Sequence, residues 1–243
     1  MRVPRIYSSL PLSIGSSVAL DERALQHVVR VLRLRAGAEL WLFDGRGGEY
    51  RAVLETVAKR SAEARILERM ERNVESPLDI ILGQGISRGE RMDYALQKAV
   101  ELGVSRIVPL FTERSAVHLS GERLEKRLRH WRGVVISACE QCGRNYTPGV
   151  ETPRSLAAFL GDCHSALAVL LDPRSHRPLT ELPSPLDKRL ILLIGPEGGL
   201  SEVEIKEAQQ AGFIDVSLGP RVLRTETATV AALTALQLLW GDL

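Results

Sequence analysis

The chain has 243 residues, of which 44% are hydrophobic and 26% are charged, and its formal net charge is +2. These values are ordinary for a soluble globular protein and allow one large domain or two smaller ones. No apolar run approaches the roughly 20 residues of a membrane span, and the N-terminus has neither the apolar stretch nor the cleavage site of a signal peptide. We therefore expect a cytoplasmic protein.

The first 72 residues form a basic segment in which short strands are predicted. They contain 13 Lys and Arg against 9 Asp and Glu, whereas the rest of the chain has a net charge of −2. Residues 38–57 alternate on either side of the turn sequence DGRGG, which predicts a hairpin, and residues 61–72 predict a further strand. Residues 21–34 predict a short helix with Asp21 near its start, or a helix followed by a strand. We expect a small β-barrel-like domain whose basic face either binds an anionic partner or is simply solvated.

The pattern changes near residue 78, after a polar linker at 71–79. Strand-like apolar runs then alternate with helix-like segments, which predicts a mostly parallel sheet flanked by helices. The predicted strands are 78–86, 104–113, 164–172, 189–195 and 213–219. The predicted helices are 91–103, 121–142, one that follows Gly199 with a Ser201/Glu204 capping box, and 225–240. We divide the chain into domains at 1–72 and 73–243.

The final predicted helix, 225–240, is apolar almost all round. Such a helix is either deeply buried in its own chain or covered by another subunit.

Three cysteines are too few for a disulfide framework. Cys139 and Cys142 form a CxxC pair, which suits a redox centre or half of a zinc site, but no second ligand pair stands at a compatible spacing. Both fall on the apolar face of the predicted helix 121–142, so we interpret them as structural thiols and expect no metal.

Two segments carry most of the functional signal, LLIGPEGGLSEVEI (192–205) and LGPRVLRTETATVAAL (218–233). Each leads from an apolar run through a Gly-Pro loop into a helix, and such loops at strand ends are where open α/β sheets bind ligands. The GPEGG loop lacks the Lys and Ser/Thr of a phosphate-binding loop, and Glu197 would repel a phosphate. An adenine or a ribose fits better, because glycine lets backbone approach a ligand closely.

These two segments, together with CEQCGRN (139–145) and QKAVELGVSRIVPLFTERS (97–115), resemble the RsmE family. Its members are bacterial methyltransferases of the SPOUT class that make 3-methyluridine in 16S ribosomal RNA. The likeness extends over nearly the whole chain, because the basic start resembles the family's PUA-like RNA-binding domain. The resemblance implies a SPOUT-type parallel sheet with a C-terminal trefoil knot, bound S-adenosylmethionine and a homodimer.

The resemblance also implies which residues bind the cofactor, in three loops at the ends of three strands. The expected cofactor residues are Leu170 and Leu171 in the first loop, Ile194, Gly195, Glu197, Gly198 and Gly199 in the second, and Leu218, Gly219, Leu223, Arg224 and Thr225 in the third.

Methylation of uridine N3 requires removal of its proton and stabilisation of negative charge on the uracil oxygens. Arg221 and Arg224 are candidates for that stabilisation or for a phosphate contact, and each could equally form a salt bridge or support a loop carbonyl. Glu140, Arg144 and Asn145 lie off or just beyond the apolar face of their helix and could point at the substrate. Glu140 is a candidate base, or the structural partner of an arginine. Two other carboxylates compete for that role, Glu197 and Glu226.

The predicted RNA contacts supply positive charge for phosphate groups, with an affinity that falls as salt rises. They are Arg2, Arg5, His27, Arg30, Arg33, Arg35 and Arg221. The expected partner is 16S rRNA, either naked or within the 30S subunit. Two alternatives remain open: a SPOUT methyltransferase for another RNA such as tRNA, and a non-catalytic RNA-binding protein of ribosome assembly.

Overall fold

The computed structural model describes residues 3–117, 119–163 and 166–243. The chain divides into two compact units, Met1–Glu75 with Cys139–Thr147, and Ser76–Ala138 with Pro148–Leu243. The segment Cys139–Thr147, which the sequence grouped with residues 73–243, therefore packs in the first unit. Within the described residues, no helix is both long and apolar enough to span a membrane.

The first unit is built on a five-stranded sheet with the order β1-β3-β4-β5-β2. Its elements are β1 Arg5–Tyr7, β2 Ser17–Ala19, α1 Glu22–Gln26, β3 Glu39–Phe43, β4 Glu49–Val57 and β5 Ala62–Met70, with a π-helical turn at His27–Val31 after α1. The hairpin predicted around DGRGG is present as β3 and β4, paired antiparallel. Asp21 is the N-cap of α1, and its carboxylate accepts a hydrogen bond of 2.8 Å from the Ala24 N–H.

The second unit is built on a seven-stranded sheet in which every pairing is parallel. Its strands are β6 Asp79–Gly85, β7 Arg106–Phe111, β8 Gly149–Val150, β9 Arg154–Ser155, β10 Leu167–Leu171, β11 Arg189–Ile194 and β12 Ile214–Val216. Its helices are α2 Glu90–Glu101, α3 Gly121–Cys142 (whose last residues belong to the first unit), α4 Leu156–Gly161, α5 Glu202–Gln210 and α6 Thr225–Trp240. The order is β12-β10-β11-β6-β7-β8, and β9 pairs with β7.

The central strands β10, β11 and β6 are almost wholly buried, as expected of strands covered by helices on both faces. The parallel sheet and the capping box of α5 are confirmed: the Ser201 hydroxyl accepts from the Glu204 N–H, and the Glu204 carboxylate accepts from the Ser201 N–H. Strands β8 and β9 and helix α4 were not predicted, because two residues of strand and six of helix are too short to show a period.

Helix α6 is not buried all round. Leu233 and Leu236 are fully covered within the chain, whereas Leu238 is 64% exposed and Leu239 42% exposed. Burial in its own chain therefore accounts for only part of the apolar surface of α6.

Cys139 is fully buried and Cys142 partly buried. Burial, reinforced by the nearby Cys142, raises the pKa of the Cys139 thiol to about 12, so it stays protonated at neutral pH. Within the described ranges, no three His, Cys, Asp or Glu side chains are grouped as metal ligands.

Candidate cofactor site and RNA-binding surface

A cavity of about 550 Å³ lies at the carboxyl ends of β10 and β11, next to the loop that follows β12. These three strands are neighbours in the sheet, so their ends open at one edge. The volume is within the usual range for a small-molecule or cofactor site. It is also the position at which open α/β sheets bind ligands.

Three loops form the wall of this cavity. They contribute all twelve residues that the sequence analysis assigned to the cofactor, together with Arg221. The twelve are Leu170, Leu171, Ile194, Gly195, Glu197, Gly198, Gly199, Leu218, Gly219, Leu223, Arg224 and Thr225. The lining residues that were not identified from the sequence include four charged ones: Arg91, Arg114, Asp172 and Arg174.

The second loop, 195–199, lies against the end of β6. A Cβ added at Gly85 would lie 2.4 Å from the Pro196 nitrogen, closer than any real Cβ contact. Gly85 therefore allows the loop backbone to approach the strand. Gly199 has φ +68°, which is the left-handed conformation that favours glycine and lets the chain turn into α5.

Glu197, in the middle of this loop, is bonded to the segment that starts α2. Its Oε1 accepts from the Arg88 N–H at 2.9 Å and from Arg91 Nη1 at 3.2 Å. Burial acts to raise the pKa of Glu197, but the bonds from Arg88, from its own backbone and from Arg91 outweigh burial and lower the pKa below its ordinary 4.5. Glu197 is thus an ionised carboxylate that joins the loop to the start of α2, and its lowered pKa does not suit a proton acceptor.

The cavity wall is predominantly cationic. Five arginines line it against two acids. Arg174 is paired with Asp172 at 3.1 Å, and Arg91 is paired with Glu197. Arg221 and Arg224 are exposed and have no ion-pair partner among the described residues, so their charges are available to an anion.

Glu140 and Arg144, the other two catalytic candidates, are not among the described residues that line the cavity. In the first unit, Glu140 accepts from Arg23 Nη2 at 2.7 Å and from the Tyr7 N–H at 3.0 Å. This is the ion-pair role that the sequence left open as an alternative. Arg144 is 6% exposed and donates to Glu75 at 2.7 Å, so it is not free to point at a substrate.

Asn145 shows why the expectation for this segment was wrong. Its side chain is 2% exposed; it accepts from Arg5 Nη2 at 2.8 Å and donates to the Arg72 carbonyl at 3.0 Å. These partners lie 73 or more positions away in the chain, and helical periodicity carries no information about them.

The predicted RNA contacts of the first unit differ in their exposure to solvent. Arg30, Arg33 and Arg35 are exposed and have no ion-pair partner within the described ranges, and His27 beside them is half-buried. Arg5 does not belong with them, because it is 6% exposed and ion-paired with Glu49. The remaining candidate, Arg2, lies outside the described residues.

The backbone of residues 27–35 is irregular. It passes from the π-helical turn into Arg33, whose φ of 53° is unusual for a residue with a side chain. π-Turns and left-handed non-glycine residues are enriched at functional sites, where they direct side chains that a regular helix would place elsewhere. The arrangement presents Arg30 and Arg33 to solvent.

Family models of known proteins match residues in each of the two units. Residues 74–237 match a family model described as an RNA methyltransferase domain, and residues 20–67 match an RNA methyltransferase PUA domain. A ribosomal RNA small subunit methyltransferase E from Buchnera aphidicola subsp. Schizaphis graminum is 38% identical over 243 residues, covering 100% of this chain and 98% of that protein. The chain belongs to the ribosomal RNA small subunit methyltransferase E family. The member from Bacillus subtilis is 28% identical over 90% of each chain.

Two solved structures of similar proteins contain the cofactor. A putative methyltransferase from Legionella pneumophila, in complex with S-adenosylmethionine, is 43% identical with a TM-score of 0.96 and full coverage of both chains. A family member from Neisseria gonorrhoeae, bound to S-adenosylmethionine, is 42% identical with a TM-score of 0.92 over 99% of both chains.

Proposed function

We propose that the protein transfers a methyl group from S-adenosylmethionine to N3 of a uridine in 16S ribosomal RNA. The observation that carries this proposal is the cavity at the ends of β10, β11 and β12, whose three loops supply every expected cofactor residue. Support comes from the family and from its cofactor-bound relatives.

The cavity wall suits S-adenosylmethionine chemically. Leu170, Ile194 and Leu223 offer apolar surface to a base, and the glycines of the second loop expose backbone groups to hydrogen-bonding ligand atoms. When bound, the cofactor supplies an electrophilic methyl group on a sulfonium centre. The loops hold this donor in place, and a fixed donor and acceptor account for much of the rate in such a transfer.

We propose that Arg224 stabilises the negative charge that grows on the uracil oxygens and that Arg221 contacts RNA phosphate. Both line the cavity without a neutralising acid among the described residues. Glu140 and Glu197 are already bonded to cations and N–H groups. We therefore favour Glu226 as the proton acceptor, because its Oε2 is buried without a hydrogen-bond partner among the described residues, one position after Thr225 of the cavity wall.

We further propose a SPOUT-type trefoil knot that forms the cofactor loops, and a homodimer that covers the exposed Leu238 and Leu239 of α6. The two units would divide the work, the first binding RNA and the second methylating it. We place the enzyme in the cytoplasm, where 30S subunits are assembled.

The proposal is tested by incubating the protein with labelled S-adenosylmethionine and unmodified 30S subunits or naked 16S rRNA, followed by nucleoside identification. The expected product is 3-methyluridine, and the better substrate shows when the enzyme acts during assembly. Another methylated nucleoside, or transfer only to tRNA, would redirect the proposal to a different RNA target. Cofactor binding with no transfer to any of these RNAs would favour a non-catalytic role.

The double variant Arg30→Ala/Arg33→Ala is expected to bind 16S rRNA about tenfold more weakly, because two phosphate contacts are lost. Its plot of log affinity against log salt is expected to be shallower by about one to two units, while its affinity for S-adenosylmethionine stays the same. Filter binding at several salt concentrations measures the first two quantities, and calorimetry measures the third.

The control is Lys59→Ala/Arg60→Ala, which removes the same charge from exposed positions elsewhere in the first unit. If both double variants lose affinity equally, RNA binding depends only on net charge, and residues 27–35 are not a specific contact site.

The Glu197→Gln variant is expected to leave the pH dependence of methyl transfer unchanged from about pH 6 to about pH 9, while weakening cofactor binding several-fold. The lowered pKa means that the carboxylate is already ionised at neutral pH, and its pairing with Arg91 is lost only when the pH falls below the ordinary value of 4.5. Rate–pH profiles of the variant and the wild type test this expectation. Disappearance of a titration limb in the variant would instead identify Glu197 as the base.

A further inference from the structure

One fully buried polar side chain of the second unit belongs to none of the sites described so far. Gln84 stands in β6, between Gly83 and Gly85, and its side chain is 0% exposed among the strands of the sheet core. A glutamine in such a position is costly unless its amide is hydrogen-bonded. Its bonding partners therefore indicate what it does.

The amide of Gln84 binds the two threonines at the start of α6. Its Nε2 donates to Thr225 Oγ1 at 3.1 Å, and its Oε1 accepts from the Thr229 hydroxyl at 2.8 Å. Nε2 also lies 3.3 Å from the Gly85 carbonyl. Both ends of the amide have hydrogen-bond partners, and the Thr229 hydroxyl, which has a single hydrogen, also lies 2.9 Å from the Thr225 carbonyl.

Thr225 extends this contact to the second loop. Its hydroxyl donates to the Gly195 carbonyl at 2.7 Å, so its oxygen is free to accept the proton of Gln84 Nε2. The chain of hydrogen bonds thus runs from β6 through Thr225 to Gly195. These last two residues line the cavity, in the third and second loops respectively.

The same end of β6 contacts the second loop at two further points. Pro196 lies against Gly85, where a side chain would collide, and Glu197 accepts from the N–H of Arg88, three residues beyond the strand. The second loop therefore contacts residues 84–88, the end of β6 and the three residues after it, at successive positions. Gln84 joins that segment to the third loop as well, through Thr225.

We propose that Gln84 is a positioning residue for the cofactor site, which sets the second and third loops in register by hydrogen-bonding Thr225 and Thr229. The proposal rests on the proposed function only in naming S-adenosylmethionine as the ligand. A buried, fully satisfied hydrogen-bond network of this kind rigidifies the groups that it joins. The loops are then preformed, and the ligand does not have to order them on binding.

Gln237 provides a matched control at the other end of α6. It is also buried, at 1% exposure, and its amide donates to the Leu102 carbonyl at 2.8 Å and accepts from Ser76 Oγ at 2.9 Å. Neither partner lines the cavity. Gln84→Met and Gln237→Met therefore both remove a buried amide of similar volume, but only the first releases the loops.

The experiment compares amide hydrogen exchange at 195–199 and 218–225, and calorimetric titration with S-adenosylmethionine, in both variants and the wild type. We expect Gln84→Met to exchange about tenfold faster in both loops and to bind S-adenosylmethionine about tenfold more weakly. We expect Gln237→Met to lose a similar amount of thermal stability with neither change. Equal loop exchange in the two variants overturns the proposal.

A second pair of variants decides the case if Gln84→Met does not fold. Thr229→Val removes the hydroxyl that Gln84 binds, whereas Thr229→Ser keeps it. Faster loop exchange in the valine variant with wild-type exchange in the serine variant supports the proposal, and identical exchange in both overturns it. If the wild type does not bind S-adenosylmethionine, the proposed function fails, while the exchange comparison still decides the role of Gln84.

Discussion

Replacing Arg224 with alanine is expected to lower the rate of methyl transfer by about 100- to 1000-fold while changing the affinity for S-adenosylmethionine less than about threefold. Removing one group that stabilises charge in a transition state has effects of this size. We assign Arg224 to the uracil rather than to the cofactor contact expected from the sequence, because the positive sulfonium of the cofactor repels a guanidinium. The change should therefore appear in kcat and not in cofactor binding.

The local structure is expected to tolerate this substitution. Arg224 is the N-cap of α6, but its side chain makes no capping bond, and the bond from the Ala228 N–H goes to the backbone carbonyl of Arg224. Single-turnover kinetics on 30S subunits and calorimetry with the cofactor separate the two quantities. Arg224→Lys should recover part of the rate, because a charge remains without the planar fork.

Arg129→Ala is the control for charge, because Arg129 is exposed on α3, has no ion-pair partner among the described residues and does not line the cavity. It should behave as the wild type. If Arg224→Ala instead loses cofactor binding and rate in equal proportion, Arg224 holds the cofactor and another group stabilises the uracil.

The second large effect is expected at Gly85, which makes no contact with any ligand in the proposed mechanism. Gly85→Ala places a methyl group 2.4 Å from the Pro196 nitrogen and 2.8 Å from the Gly195 carbonyl carbon, so the second loop must move. Overpacking of this kind lowers the free energy of unfolding by about 1–3 kcal/mol. Because the loop is part of the cavity wall, affinity for S-adenosylmethionine should fall at least about tenfold.

Gly149→Ala is the matched control, since Gly149 is also a strand residue and an added Cβ there would meet nothing within 4 Å. Thermal denaturation and calorimetric titration of the two variants test the prediction. If Gly85→Ala binds S-adenosylmethionine as tightly as the wild type, the contact between the second loop and β6 does not determine cofactor affinity.

Much of the fold could be predicted from local sequence patterns. The DGRGG hairpin, the Asp21 cap, the Ser201/Glu204 capping box and the central apolar strands all depend on residues within a few positions of each other, and all are present. The residues of the cavity wall could also be predicted. The sequence shows strand ends followed by Gly-Pro loops, and the resemblance to the family implied which residues of those loops bind the cofactor.

The misplaced residues are those whose partners lie far away in the chain. Arg5 was expected to contact RNA, yet it is bonded to Asn145, 140 positions along, and Glu140 is bonded to Arg23 across 117 positions. A single sequence gives the charge of such residues but not what lies opposite them. Gln84 did leave a signal, a polar side chain within the apolar run DIILGQGI, but its function depends on Thr225, 141 positions later.

The hydrogen bond between Gln84 and Thr229 joins residues 145 positions apart, more than half of the chain. During synthesis, β6 leaves the ribosome long before α6 exists, so the second loop cannot acquire its bond from Thr225 until the start of α6 has been made. Contacts between distant parts of a chain form late, because a long loop must close first. The ability to bind a small molecule in the cavity therefore requires that the chain has been made and folded through the start of α6, and a chain cut short before residue 225 is expected to be inert.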